Sequence, residues 1–154
     1  MPPTLGYSLE QGIPVPPSYY AKSSPGKGRG VFASRDIAEG ELVHDGTHSD
    51  VVFPHAIAWR RFVFSLPNHM ACDSTEWHWM QNFERGGKYH VVAGINISSL
   101  VNSGGEEFGP GRLPNALPES GTSGMFYATR DIEKGEEILT DYEAYYTNWE
   151  EVGL

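Results

Sequence analysis

Two glycines flank an arginine at Gly28-Arg29-Gly30, with Val31-Phe32-Ala33 behind them, a spacing that on paper lets main chain approach a phosphate. Glycine at such positions permits close backbone contact with a ligand. The pattern fits a dinucleotide fingerprint, whose chemistry needs a hydrophobic strand before the glycines and a long helix after them. Residues 18–25 do not read as that strand and Gly40 stops any helix early, so the run is not expected to hold a nucleotide phosphate. His44 and His48 stand four apart, as two ligands on one helical turn would. Gly46 between them opposes a helix and no third ligand stands in register, so no metal is expected, and the histidines read as surface or hydrogen-bonded imidazoles. Cys72 is the single cysteine, which excludes an intrachain disulfide and a cysteine-cluster zinc site and leaves an inert core or surface thiol.

Eleven Lys and Arg against twenty Asp and Glu give a formal net charge of −9. That balance opposes nucleic acid as a partner, because affinity for a phosphate backbone is built largely from Lys and Arg contacts. A basic peptide is the easier partner. Residues 131–154 carry eight acids and one base, and a cleft there would draw cations by long-range steering, although an acidic tail that only maintains solubility fits the same charges. With no run of eighteen apolar residues and no basic-then-apolar leader, the expectation is a soluble intracellular protein of nucleus or cytoplasm, with no membrane partner. Oligomeric state is not readable.

The elements that must position such groups are short. At 154 residues the chain suits one domain, and 18 Gly, 11 Pro and 12% aromatic content point to many strands joined by turns. One phrase is written twice: Ala33-Ser34-Arg35-Asp36-Ile37-Ala38-Glu39-Gly40-Glu41 returns as Ala128-Thr129-Arg130-Asp131-Ile132-Glu133-Lys134-Gly135-Glu136. Each copy is flanked by apolar residues and reads as strand, tight turn, strand, with Gly at the left-handed position of a hairpin. Two such hairpins suggest a mostly β body closed by pairing its beginning with its end. Further strands are expected at 29–34, 41–44 and 50–53, and Ala56, Trp59, Phe62, Val63 and Leu66 recur at helical spacing between Pro54 and Pro67. Trp77, Trp79, Gln81 and Phe83 alternate before Gly86-Gly87, and Tyr89 to Val92 return, as in a hairpin. Residues 103–124, with six Gly and three Pro, form the longest irregular stretch, and residues 1–18, rich in Pro, read as an extended arm.

Four segments, in order, resemble a SET domain. Gly26-Lys27-Gly28-Arg29-Gly30-Val31-Phe32-Ala33-Ser34-Arg35-Asp36-Ile37 is similar to its opening strand. Asn96-Ile97-Ser98-Ser99-Leu100-Val101-Asn102-Ser103 resembles the central segment that usually reads Asn-Ile-Ala-Arg-Phe-Ile-Asn-His, and Leu113-Pro114-Asn115-Ala116 the Pro-Asn beyond it. Gly135-Glu136-Glu137-Ile138-Leu139-Thr140-Asp141-Tyr142 is similar to the closing Gly-Glu-Glu-Leu-Thr-x-Asp-Tyr, so the match runs over residues 26–146. The resemblance implies a β-clip SET fold of short strands and hairpins with one or two short helices, spanning residues 19–146 before a tail at 147–154. It also implies a pseudoknot-like threading of the C-terminal strand, an arrangement rare among folds. A smaller β-clip binding domain shares the repeated phrase, but Asn102 and Tyr142 favour the SET reading.

The implied activity is transfer of a methyl group from S-adenosylmethionine to a lysine of a protein, a histone-like basic peptide among the candidates. Lysine must be neutral to attack although its free pKa is about 10.4, so a dry channel assists. Alignment supplies much of such a rate. By resemblance Tyr142 orients amine and methyl as the catalytic residue and also contacts the cofactor, which Gly28, Arg29, Gly30 and Ser103 border and whose amino-acid moiety Asn102 bonds. Without the resemblance, Tyr142 reads as an ordinary strand aromatic and the glycines as turn residues.

Three departures bear on activity. Ser103 replaces the usual His and Ser99 the usual Arg, so cofactor packing must differ; the second-strand Tyr of many members has no counterpart near His44-Asp45-Gly46; and no cysteine-rich flap adjoins the core. Tyr145, Tyr146 and Trp149 are expected either to line the substrate channel as an aromatic lid suited to a lysine stem, or simply to pack on the body. The competing reading is a catalytically inactive SET module that binds a peptide or partner protein.

Overall fold

The computed structural model describes residues 18–45, 50–76, 78–82, 87–94, 97–118 and 125–144. Among them the strands β1 (Tyr19–Ser24), β2 (Gly28–Ala33), β3 (Leu42–Asp45), β4 (Asp50–Phe53), β5 (His78–Asn82), β6 (Tyr89–Gly94), β7 (Asn102–Ser103), β8 (Ala116–Pro118), β9 (Met125–Ala128) and β10 (Glu137–Thr140) form three small sheets. Their orders are β1-β2-β10-β7, β3-β9-β8 and β4-β6-β5. Two helices, α1 (Ala56–Ser65) and α2 (Asn68–Glu76), come after β4. The fold is therefore the mostly β one the sequence implied, and no helix among the described residues is long and apolar enough to cross a membrane.

The repeated phrase behaves differently from the expected pair of hairpins. Neither copy pairs its own arms: β2 pairs with β1 and β10, while β3 pairs with β9. Each copy is a bend between two sheets, and each arm finds its partner in the other copy. The exchange lets the two Asp-Ile turns meet. Ile37 and Ile132 donate N–H to one another's carbonyl at 2.9 Å each. Asp36 Oδ1 accepts from Lys134 N at 2.8 Å and Asp131 Oδ1 from Glu39 N at 2.9 Å. Arg35–Glu41 and Arg130–Glu136 each close at 2.5 Å. Gly40 and Gly135 adopt φ of 78° and 85°, which only glycine takes without cost, and their N–H groups reach Ala128 O and Ala33 O at 2.8 Å. Isolated hairpins would leave both isoleucines at a solvent-facing tip; the exchange buries each to 1% exposure, within a cluster that includes Val31, Ala33, Val43, Ala128 and Ile138.

A second cluster of Phe53, Trp59, Val91 and Ala93 seats α1 on β4 and β6, with the Phe53 and Trp59 rings edge-on at 5.1 Å. His55 caps α1, its Nδ1 accepting from Ala58 N at 3.1 Å. The expected strands at 50–53 and the hairpin across 78–94 are present, although Trp77, Phe83 and Gly86 lie outside the described residues. Two elements were not expected. β1 occupies residues read as non-strand, so the dinucleotide reading fails on its other ground: the glycines lead into a strand paired antiparallel to β1, not into a helix. α2 was not foreseen, since Asn68–Glu76 is polar with no apolar period.

β10 closes the molecule. Glu137 and Ile138 pair antiparallel with Phe32 and Val31, and Leu139 and Thr140 then pair parallel with Asn102 and Ser103. Asn115, fully buried, grips it from the remaining side: Leu139 N donates to Asn115 Oδ1 at 2.8 Å, Asn115 N to Leu139 O at 2.9 Å, and Asn115 Nδ2 to Glu137 O at 2.9 Å. Gly104 N donates to Thr140 O at 2.7 Å, so the strand passes between segments that both precede it.

Candidate functional site

The seam between β2, β10 and β7 gathers most of the residues singled out in the sequence. Gly28 begins β2 at φ 75° with open space where a side chain would stand, so its requirement is conformational. Gly30 is different. A Cβ there would strike the Glu137 carboxylate and lie 2.9 Å from Asn102 Nδ2 and 3.1 Å from Ser24 Cβ. The space beside Gly30 is thus filled by the protein's own Asn102 and Glu137. Asn102 Nδ2 donates to Arg29 O at 3.1 Å and to Glu137 Oε1 at 2.9 Å, tying all three strands together. Arg29 joins through its carbonyl, while the residue itself is exposed.

Ser103 works as a joint. Its Oγ accepts from Tyr142 N at 3.4 Å and donates to Gly104 O at 3.3 Å, and its carbonyl accepts from Lys27 Nζ at 2.5 Å. The same Lys27 ammonium lies 3.9 Å from the centre of the Phe108 ring, a cation–π contact that ties the β1–β2 turn to the loop after β7. Tyr142 opens a short 3-10 turn, Tyr142–Ala144, directly after β10. Its Oη donates to Val101 O at 2.7 Å while 51% of the residue is exposed, so the ring edge faces solvent and the hydroxyl turns inward. Burial of that hydroxyl raises its pKa above the ordinary 10.0 and keeps it a neutral phenol at physiological pH.

Val101, Asn102, Ser103 and Tyr142 are therefore contiguous, with Arg29 and Gly30 across the seam from Asn102. Tyr145, Tyr146 and Trp149, expected to line a substrate channel, lie outside the described residues, as does His48. His44 is buried, its Nδ1 2.7 Å from Tyr19 Oη, and burial lowers its pKa from 6.5 to about 4. It forms part of the body rather than of the seam. Cys72 is exposed on α2. No group of metal-ligating side chains assembles among the described residues.

Three side-chain oxygens of the seam make no hydrogen bond among the described residues. Both Asn102 Nδ2 hydrogens are engaged, leaving Oδ1, and the buried hydroxyls Ser24 Oγ and Thr140 Oγ1 have no hydrogen-bond partner among the described residues. Ser24 lies behind Gly30, and Thr140 is paired with Ser103. Of these, Asn102 Oδ1 can only accept, whereas the two buried hydroxyls can donate as well as accept. Sequence reasoning missed Lys27, Glu137 and the gripping role of Asn115. Lys27 and Glu137 sit inside the family-like strings, yet their partners are 76 and 35 residues away, a separation no local pattern reveals.

A family model described as SET domain matches residues 28–143. No curated protein matches the chain. Among solved structures, a Plasmodium falciparum protein named as a histone methyltransferase is 19% identical with a TM-score of 0.50, covering 88% of this chain and 99% of its own. The methyltransferase domain of human histone-lysine N-methyltransferase SETMAR is 18% identical at TM-score 0.54, covering 91% of this chain and 49% of the other. A chain of ctPRC2 in an autoinhibited conformation bound to S-adenosylmethionine is 23% identical at TM-score 0.57, covering 85% of this chain and 16% of that one. At these identities the likeness is one of fold.

Proposed function

This chain belongs to the SET-domain family, and from that premise we propose that it is a methyltransferase that uses S-adenosylmethionine to methylate a lysine of a basic protein or peptide. The observation that carries the reading is the seam itself: β10 draws Arg29 and Gly30, Asn102 and Ser103, and Tyr142 from three distant parts of the chain to one place. When bound, S-adenosylmethionine supplies a methyl group activated by sulfonium charge. Asn102 Oδ1 accepts from the cofactor's amino-acid end, and the Gly28–Gly30 main chain borders it. Tyr142 orients the incoming amine. Because its hydroxyl donates to Val101 O, Tyr142 Oη acts toward a lysine N–H as an acceptor. A neutral phenol fixes direction without adding a charge, and holding the amine nitrogen in line with the carbon–sulfur bond is the larger part of the catalysis. The acidic segment 131–154 favours a basic substrate by steering.

A second reading, an inactive module that binds a peptide, draws on Ser103, which stands where the family usually has His and here holds the Tyr142 backbone. Calorimetric titration with S-adenosylmethionine and its demethylated product, and then transfer of labelled methyl to histone peptides and other basic proteins, separates the two. Binding with transfer supports the enzyme. Binding without transfer to any of them supports the module, and absence of binding contradicts both cofactor and activity.

A further inference from the structure

Resting on the proposed cofactor, we infer that Glu137 is a ligand-binding residue, its second carboxylate oxygen joining Asn102 Oδ1 to receive the ammonium group of the cofactor's amino-acid end. The orientation of the Asn102 amide is fixed by what surrounds it. Turning it over would put its oxygen against the Arg29 carbonyl and the Glu137 carboxylate, both acceptors, so Nδ2 faces them and Oδ1 keeps its acceptor capacity. Glu137 Oε1 is engaged by that amide; Oε2 has no hydrogen-bond or ion-pair partner among the described residues, where the carboxylates paired with basic side chains are Glu41 and Glu136. The Glu137 carboxylate is half-buried and keeps the acceptor capacity of that second oxygen unspent. The amide locks this one in place beside Gly30, which leaves no room for a side chain that would push it aside. One neutral and one anionic acceptor, joined by a hydrogen bond and held on adjacent strands, make a seat for a primary ammonium.

Two substitutions and two ligands test this. Glu137→Gln retains a carbonyl oxygen that accepts from Asn102 Nδ2, so the strand contact persists while the charge goes. S-adenosylhomocysteine carries the ammonium, and its deamino analogue keeps adenosine, thioether and carboxylate without it. By calorimetry, wild type is expected to bind S-adenosylhomocysteine about tenfold more tightly than the deamino analogue, as for a hydrogen bond to a charged group. Glu137→Gln is expected to bind the two nearly equally, the loss falling on S-adenosylhomocysteine alone. Glu39→Gln, which removes the same charge from the remote turn, keeps the wild-type preference. If Glu137→Gln fails to fold, Glu137→Asp, which keeps the charge but withdraws it by a methylene, is expected to narrow the preference in the same direction. Full preference in a Glu137 variant, or equal weakening of both ligands, overturns the inference. If wild type binds neither ligand, the cofactor reading beneath it is what fails.

Discussion

The doubled turns and the Gly30–Asn102–Tyr142 seam share β10, yet they treat polar groups in opposite ways. In the turns the polar contacts are mirrored: Asp36 to Lys134 N and Asp131 to Glu39 N, Arg35 to Glu41 and Arg130 to Glu136. There the groups engage one another in matched pairs. The seam is lopsided, with Asn102 Nδ2 fully engaged and Asn102 Oδ1, Ser24 Oγ and Thr140 Oγ1 left without protein partners among the described residues. Matched contacts set register, and the proposed site draws on the seam atoms that this register holds still. Asn115 links the two regions, since it grips β10 at Glu137 and Leu139 and its Nδ2 also reaches Glu136 Oε1 at 3.3 Å.

That division can be broken most forcefully at Asn115. Asn115→Ala removes the acceptor of Leu139 N–H in a buried place, and we expect about 3–5 kcal/mol of destabilisation in urea unfolding together with loss of cofactor binding, since strand and seam fail together. A variant that unfolds at the wild-type midpoint would show that β10 is held by other means. Ile37→Ala and Ile132→Ala test the symmetry of the turns. Both side chains are 1% exposed, so each is expected to cost about 3 kcal/mol. Costs differing by more than about half would mean that the mirror is geometric and not energetic.

Acid sharpens the same contrast. Burial holds the pKa of His44 at about 4 against an ordinary 6.5, so between these values the unfolded chain binds a proton that the folded chain does not. Stability is complete above pH 6.5 and falls by roughly 3 kcal/mol as pH drops toward 4. The carboxylates act lower. The Arg35 hydrogen bond lowers the pKa of Glu41 below 4.5; burial pushes Glu136 up, but Arg130, the Glu133 N–H and Asn115 together bring it below the same value. Their contribution is full above pH 4.5 and is lost as pH falls through the lowered values. Unfolding measured against pH should show the upper phase vanish in His44→Gln and the lower one flatten in Glu41→Gln with Glu136→Gln.

At the seam the expected effects on stability are smaller and those on binding larger. Gly30→Ala puts a Cβ against Glu137 and Asn102, so we expect cofactor affinity to drop about tenfold through displacement of the Asn102 amide rather than by direct obstruction. Calorimetry on this variant checks it; unchanged affinity would show that Asn102 is not a ligand.

Much of this was legible because the residues lie in contiguous phrases. Gly28, Gly30, Asn102, Ser103 and Tyr142 stand in strings that resemble a family, and the apolar periods at 50–65 and 78–94 announced strands and α1. What stayed hidden was non-local. The exchange of arms between the repeated turns pairs Phe32 with Glu137 and Leu42 with Tyr127, for which a short-range pattern offers only the nearer hairpin. β1 reads Tyr-Tyr-Ala-Lys-Ser-Ser, whose strand character comes from pairing with β2 rather than from alternation. α2 is a polar segment that begins after Pro67, with Ala71 N donating to Pro67 O at 2.9 Å, and little in its composition marks it.

The central claim, that the seam aligns a methyl acceptor through the Tyr142 hydroxyl, is tested most directly by measuring labelled-methyl transfer from S-adenosylmethionine to basic peptides by wild type and Tyr142→Phe. The substitution keeps the ring and removes only the oxygen that bonds Val101 O. The account predicts transfer reduced by about a hundredfold or more, with cofactor affinity within about twofold of wild type because the proposed cofactor contacts at Asn102 and the Gly28–Gly30 main chain remain. Undiminished transfer by Tyr142→Phe would contradict it.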